Sequence, residues 1–174
     1  MAILPIRTFG DPVLRERARD VETFDDALAR LADDMIQTMH EAPGVGLAAP
    51  QVGRSIRLIV FDIGEGPTAL VNPVLSGHQG EQVGEEGCLS IPGLYFPVKR
   101  AMTVTCEAVD VRGKAVRIEA EELLARVFQH EVDHIDGVLF VDRLDGEERK
   151  QALAAIRDQA MGLAPAVTDP SRAL

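Results

Sequence analysis

A single α+β domain, its strands antiparallel or mixed and packed around a central helix, is predicted from three observations. Strand-like segments form a block in the middle of the chain, amphipathic helical periods lie on either side, and 174 residues build one sizeable core but not two. The central helix carries a His-Glu-x-x-His motif, and a further helix follows it near the C-terminal end. The domain is expected over residues 1–163. Residues 164–174, with Pro165, Pro170 and Ser171, are expected to form a flexible tail.

The first helix is read from Leu28, Leu31, Ala32, Met35, Ile36 and Met39, which recur at a period near 3.6, while Asp25, Asp26, Asp33 and Asp34 fall mostly off that stripe. Thr23, Asp25 and Asp26 are candidate N-caps, and Pro43-Gly44 ends the helix. The apolar, β-branched run over 57–63 predicts a strand; Gly64, Gly66 and Pro67 turn the chain into a second over 69–75. Residues 102–120 predict a hairpin. Met102, Val104, Cys106 and Ala108 alternate with polar residues, Arg112-Gly113-Lys114 turns, and Val116, Ile118 and Ala120 return. A second helix is expected over 121–134, with Leu123, Leu124, Val127 and Phe128 as its apolar side and Gly137 as its stop; a third is expected over 146–161.

Eighteen Lys and Arg against 28 Asp and Glu give a net charge of −10. Polyanion binding needs a cationic surface to release counterions, so this balance argues against direct nucleic-acid binding and equally against polybasic membrane attachment. The start, MAILPIRTFG, lacks the basic and apolar regions of a secretory signal, and no stretch approaches the roughly 18 apolar residues of a membrane span. A cytoplasmic protein with reduced thiols is expected. Two cysteines and four histidines make soft metal ligands scarce, so their placement is informative.

His130-Glu131-Val132-Asp133-His134 is the chemical centre of the sequence. Residues four apart on a helix are about 40° apart around its axis, so His130 and His134 share a face and can share a divalent metal. Glu131 lies about 60° from His134, placed to flank the metal without ligating it. The alternative is a solvated helix turn with polar i,i+4 pairs. A catalytic site needs a third protein ligand. The metzincin extension fails, because its last histidine is replaced by Phe140. Glu147 and Glu148 follow after too short a loop to return to the metal, which weakens a peptidase reading. Cys88, in Glu85-Glu86-Gly87-Cys88-Leu89-Ser90-Ile91-Pro92, belongs to no amphipathic period, whereas Cys106 keeps phase with a strand face and reads as core. The third unusual segment, Gly44-Val45-Gly46-Leu47-Ala48-Ala49-Pro50-Gln51, is no phosphate loop; its small residues allow close backbone approach, and Gln51 offers an amide donor.

Together these three segments resemble the peptide deformylase family, recognised by a G-Φ-G-Φ-A-A-x-Q loop, an E-G-C-Φ-S segment and a Q-H-E-Φ-D-H-Φ-x-G helix, all complete here in the family's order. The resemblance covers nearly the whole chain and implies that Cys88, His130 and His134 hold one divalent metal. Ferrous iron is the family's common choice, and zinc, nickel or cobalt can substitute. A thiolate beside iron is an oxidation liability. The implied activity removes the formyl group from the N-terminal formyl-methionine of new polypeptides. Metal-bound hydroxide attacks, Glu131 serves as base and then acid, and Gln51 with the Leu89 N–H stabilises the oxyanion. Val45, Gly46 and Leu47 resemble the segment that pairs with an extended substrate, and Val45, Leu123 and Val127 are candidates for the methionine pocket. Glu86 is a candidate partner of Arg100. Asp133 and Asp136 are either orienting groups or plain helix charges, Arg126 either lines the pocket or reaches solvent, and residues 93–96 tune entry. A monomer meeting its substrate near the ribosomal exit tunnel is the implied setting. A metallopeptidase and a catalytically silent metal-binding or ribosome-associated module are the rival readings, and the intact Glu131 and Gln51 count against the second.

Overall fold

The computed structural model describes residues 2–163 and Leu174. The expected tail falls, apart from Leu174, outside the described residues.

Among the described residues, three α-helices and seven strands follow one another in chain order. Helix α1, Asp26–Glu41, starts at Asp25, whose carboxylate accepts the Leu28 amide N–H and satisfies one of the first-turn donors. Strands β1 (Gly46–Ala48), β2 (Leu58–Phe61), β3 (Thr68–Gln79), β6 (Thr103–Val109) and β7 (Ala115–Glu121) form one antiparallel sheet in the order β1-β2-β3-β6-β7. Strands β4 (Gln82–Cys88) and β5 (Ile91–Arg100) pair with each other as a separate hairpin. Helix α2, Glu122–Ile135, packs on one face of the larger sheet, and α3, Gly146–Ala160, packs by β5.

Strand β2 shows why its residues read as an unbroken apolar run. Ile59 and Phe61 face the core beneath α2, and Leu58 and Val60 face the core beneath α1. A strand covered on both faces has no polar side to alternate with. Phe61 meets Phe128 of α2 edge to face at 5.0 Å, a favoured aromatic geometry. The expected alternation of the β6–β7 hairpin holds: Val104, Cys106 and Ala120 enter the α2 core, with Cys106 opposite Ile118. Burial, reinforced by neighbouring Glu107, pushes the Cys106 thiol up to about 11, as befits a packing residue.

Several boundaries differ from expectation. Strand β3 runs on to Gln79 past a break in its pairing between Val71 and Val74. There Asn72 takes a positive φ (51°), and its side-chain amide holds Val21 by accepting from the amide N–H and donating to the carbonyl. Leu123, expected on the apolar side of α2, is 47% exposed, because the helix turns toward the sheet only from Leu124 and Ala125 onward. Gly137 ends α2 as expected. Its φ is +78°, and a Cβ there would lie 2.7 Å from the Arg15 carbonyl oxygen. The β4–β5 hairpin has no counterpart in the sequence reading. Leu174 is buried with the core beneath α2 and donates its amide N–H to the Gly87 carbonyl (3.4 Å). Among the described residues no helix is long and apolar enough to cross a membrane.

Candidate metal centre and its relatives

The centre is assembled from three pieces of chain that pack together around α2. Helix α2 is buried along His130, Glu131, Asp133 and His134, an unusual density of polar groups for a core helix. His130 and His134 stand one turn apart, their rings 4.9 Å between centroids and 73° from coplanar. Cys88 closes β4, and its Sγ lies 3.2 Å from His134 Nε2. One donor atom each from Cys88, His130 and His134 falls within 4.8 Å of the others, and all three residues are buried. A sulfur and two imidazole nitrogens converging in this way suit a tetrahedral transition-metal ion with one position left for water or substrate.

The other positions considered for a third ligand supply none. Phe140 is buried, and its ring stacks on His130 at 6.3 Å. Glu147 and Glu148 are exposed in the first turn of α3.

Glu131 is fully buried, and neither carboxylate oxygen has a hydrogen-bond partner among the described residues. A buried carboxylate left without donors is costly, so Glu131, next in sequence to His130, suits a partner such as a cation-bound water or a substrate N–H. Burial raises its pKa to about 7, with His130 pulling it down and Glu86 up. Space for the carboxylate comes from Gly46. A Cβ at that position would lie 2.9 Å from Glu131 Cδ and closer still to Oε1. Gly46→Ala is therefore expected to lower turnover by about 10- to 100-fold while metal content, read by atomic absorption, stays at about one ion per chain.

Gln51 is buried on the 3₁₀ turn Ala49–Val52. Its Oε1 accepts the Ala48 amide N–H at 2.8 Å, which aims the NH₂ group at Ser90 Oγ (3.2 Å) and Cys88 Sγ (3.6 Å). Leu89 occupies the turn between β4 and β5, and its side chain packs on Gly44, where a Cβ would lie 2.9 Å from Leu89 Cδ1. Strand β1 is the edge of the large sheet and carries Gly46 and Leu47, with half-buried Val45 just before it. Val127 is fully buried in the α2 core, and Val45 packs against the same cluster; Leu123 lies at the exposed start of the helix.

Glu86, completely buried, anchors a charge network that the sequence showed only in part. Arg100 donates to it through Nε (3.0 Å) and Nη2 (2.9 Å), the pairing expected. Two further groups join it: Arg126 Nη1 (3.2 Å) and His130 Nδ1 (3.0 Å). Burial alone would raise Glu86, but the hydrogen bonds and charges of His130 and Arg100 outweigh it and hold the carboxyl at about 2. Arg126 does not reach solvent: it is buried and also donates to the Val98 carbonyl (3.0 Å), tying α2 to the β4–β5 hairpin. By contrast, His134 Nδ1 has no partner among the described residues, and burial, with His130 alongside, pushes the His134 pKa well below its usual value.

The profile of the polypeptide deformylase family matches residues 3–150. This chain belongs to that family. A peptide deformylase of Acidothermus cellulolyticus is 53% identical over 158 residues, covering 91% of this chain and 88% of that protein. One from Clostridium botulinum is 52% identical over 143 residues, covering 82% and 97%. Among solved structures, a peptide deformylase from Legionella pneumophila superposes with a TM-score of 0.86 at 45% identity, covering 94% of this chain and all of that one. A peptide deformylase from Synechococcus elongatus in complex with actinonin gives 0.85 at 40% identity, covering 100% and 92%. The α+β architecture and the hydrolase class are therefore those of a peptide deformylase, and Cys88, His130 and His134 form a group that could hold a metal ion.

Proposed function

We propose that the chain removes the formyl group from the N-terminal formyl-methionine of newly made polypeptides, releasing formate. The observation that carries this is the convergence of the buried Cys88, His130 and His134 donor atoms, two of them on the helix where Glu131 carries a buried carboxylate without a hydrogen-bond partner among the described residues. The donor set fits a single divalent ion, for which ferrous iron is our first choice and zinc, nickel or cobalt are alternatives. Bound there, such an ion lowers the pKa of water and polarises a carbonyl. The chain's own groups do the rest. Glu131, poised at about 7, takes the proton of the attacking water and returns it to the leaving amine. The Gln51 NH₂, held in place by the Ala48 amide, donates with the Leu89 backbone N–H to the developing oxyanion. The edge of β1, with Val45, Gly46 and Leu47, offers main-chain pairing to an extended peptide. Val45 and Val127, with Leu123 at the rim, form the methionine pocket.

The catalytic unit spans 1–163 and acts as a cytoplasmic monomer, meeting its substrates near the ribosomal exit. Incubation of metal-loaded protein with a formyl-Met tripeptide is expected to release stoichiometric formate, read by a formate dehydrogenase assay. Cleavage of the Met-X peptide bond without formate would overturn the proposal in favour of a metallopeptidase.

A further inference from the structure

Asp133 stands between the two histidines of the central motif, yet its carboxylate turns away from them. Its Oδ2 accepts Arg100 Nη1 (2.6 Å) and Arg143 Nε (3.0 Å), and its Oδ1 accepts Arg143 Nη2 (2.6 Å). Arg100 uses its remaining donors, Nε and Nη2, on Glu86, and Glu86 Oε1 accepts from His130 Nδ1. An unbroken line of charge-assisted hydrogen bonds thus runs from Arg143, half exposed, through Asp133, Arg100 and Glu86 to one imidazole.

We propose that Asp133 is a positioning residue for the metal site, acting on His130 through Arg100 and Glu86. A guanidinium is planar, so fixing Nη1 on Asp133 fixes the direction in which Nε and Nη2 are presented. That orientation sets the Glu86 carboxylate against His130 Nδ1. A carboxylate there keeps the proton on Nδ1 and leaves the Nε2 lone pair for a metal ion. His134 has no such partner among the described residues, so His130 is the ligand whose tautomer and ring orientation the protein enforces.

The inference rests on the proposed ligand set but not on the substrate, and metal binding tests it. Zn²⁺ affinity, measured by chelator competition, is expected to fall by about 10- to 100-fold in Glu86→Gln and about 5- to 10-fold in Asp133→Asn. The double variant should be no weaker than Glu86→Gln alone, within about twofold, because both changes break one line of action. The absorption bands of the Co²⁺-loaded protein should shift the same way in both single variants. Additive losses, or an Asp133→Asn protein that binds Zn²⁺ within about twofold of the parent, would overturn the assignment. Should Asp133→Asn fail to fold, Arg143→Gln, a change at a half-exposed site, is expected to weaken Zn²⁺ by about two- to fivefold. Unchanged affinity in that variant alongside a lowered melting temperature would mark a merely structural network. Failure of formate release with these affinities behaving as stated would leave the inference standing and remove only the substrate assignment.

Discussion

Glu131→Gln is expected to keep its metal and lose turnover by about 10²- to 10⁴-fold, since the amide fills the same space but cannot accept a proton. Metal content by atomic absorption and formate release from a formyl-Met tripeptide are the two readouts; ordinary activity in the Glu131→Gln enzyme would dispose of the assigned base. The same change has an opposite effect on stability in the metal-free protein. Folding moves the Glu131 pKa from 4.5 to about 7, so between those values the folded chain holds a proton that the unfolded chain has released. Stability therefore falls as pH rises through this window, by up to about 3 kcal/mol. Glutamine has nothing to titrate. The variant should gain over the parent as pH rises from about 5 to about 8, and the gain should level off above about 7. Urea denaturation of both metal-free proteins at the two ends of that range measures the difference. A constant offset at both pH values would show that the carboxyl does not titrate in that window.

Cys88→Ala should have the second largest effect, through the metal rather than through the base. With two imidazoles left, Zn²⁺ affinity is expected to drop by at least about 100-fold, and metal should no longer raise the melting temperature. In the parent, adding the ion should stabilise the fold and slow amide exchange in β4 and β5 more than in the larger sheet. The reason is geometric: Cys88 lies on a hairpin that no described strand of the larger sheet pairs with, whereas both histidines lie on the helix covering that sheet. Equal metal protection throughout the chain, or undiminished stabilisation of Cys88→Ala, would contradict this.

The parts of the molecule that were readable from sequence are those whose burial is apolar and local. Leu58 to Phe61 announces a strand because both faces are covered, and Met35 and Met39 announce a helix because one stripe is. The His-Glu-x-x-His spacing is legible for the same reason, since helical geometry alone puts both rings on one side. The β4–β5 hairpin was invisible because Gln82-Val83-Gly84-Glu85-Glu86-Gly87 has no apolar alternation. Glu86 is buried by charge, through partners 14, 40 and 44 residues away, and no window on the chain reports such distances. Leu123 misled for the converse reason, since it keeps helical phase in a turn that the sheet does not reach.

The close approach of Glu131 to Gly46 also bears on how such a chain can evolve. Because the carboxylate lies against the edge strand's backbone, positions 46 and 131 are not independent characters. While 131 is glutamate, selection holds 46 at glycine; once 131 shortens to serine or glycine, alanine at 46 becomes neutral. The glycine at 46 is then expected to outlast most of the core in functioning lineages and to drift early in those that abandon the chemistry.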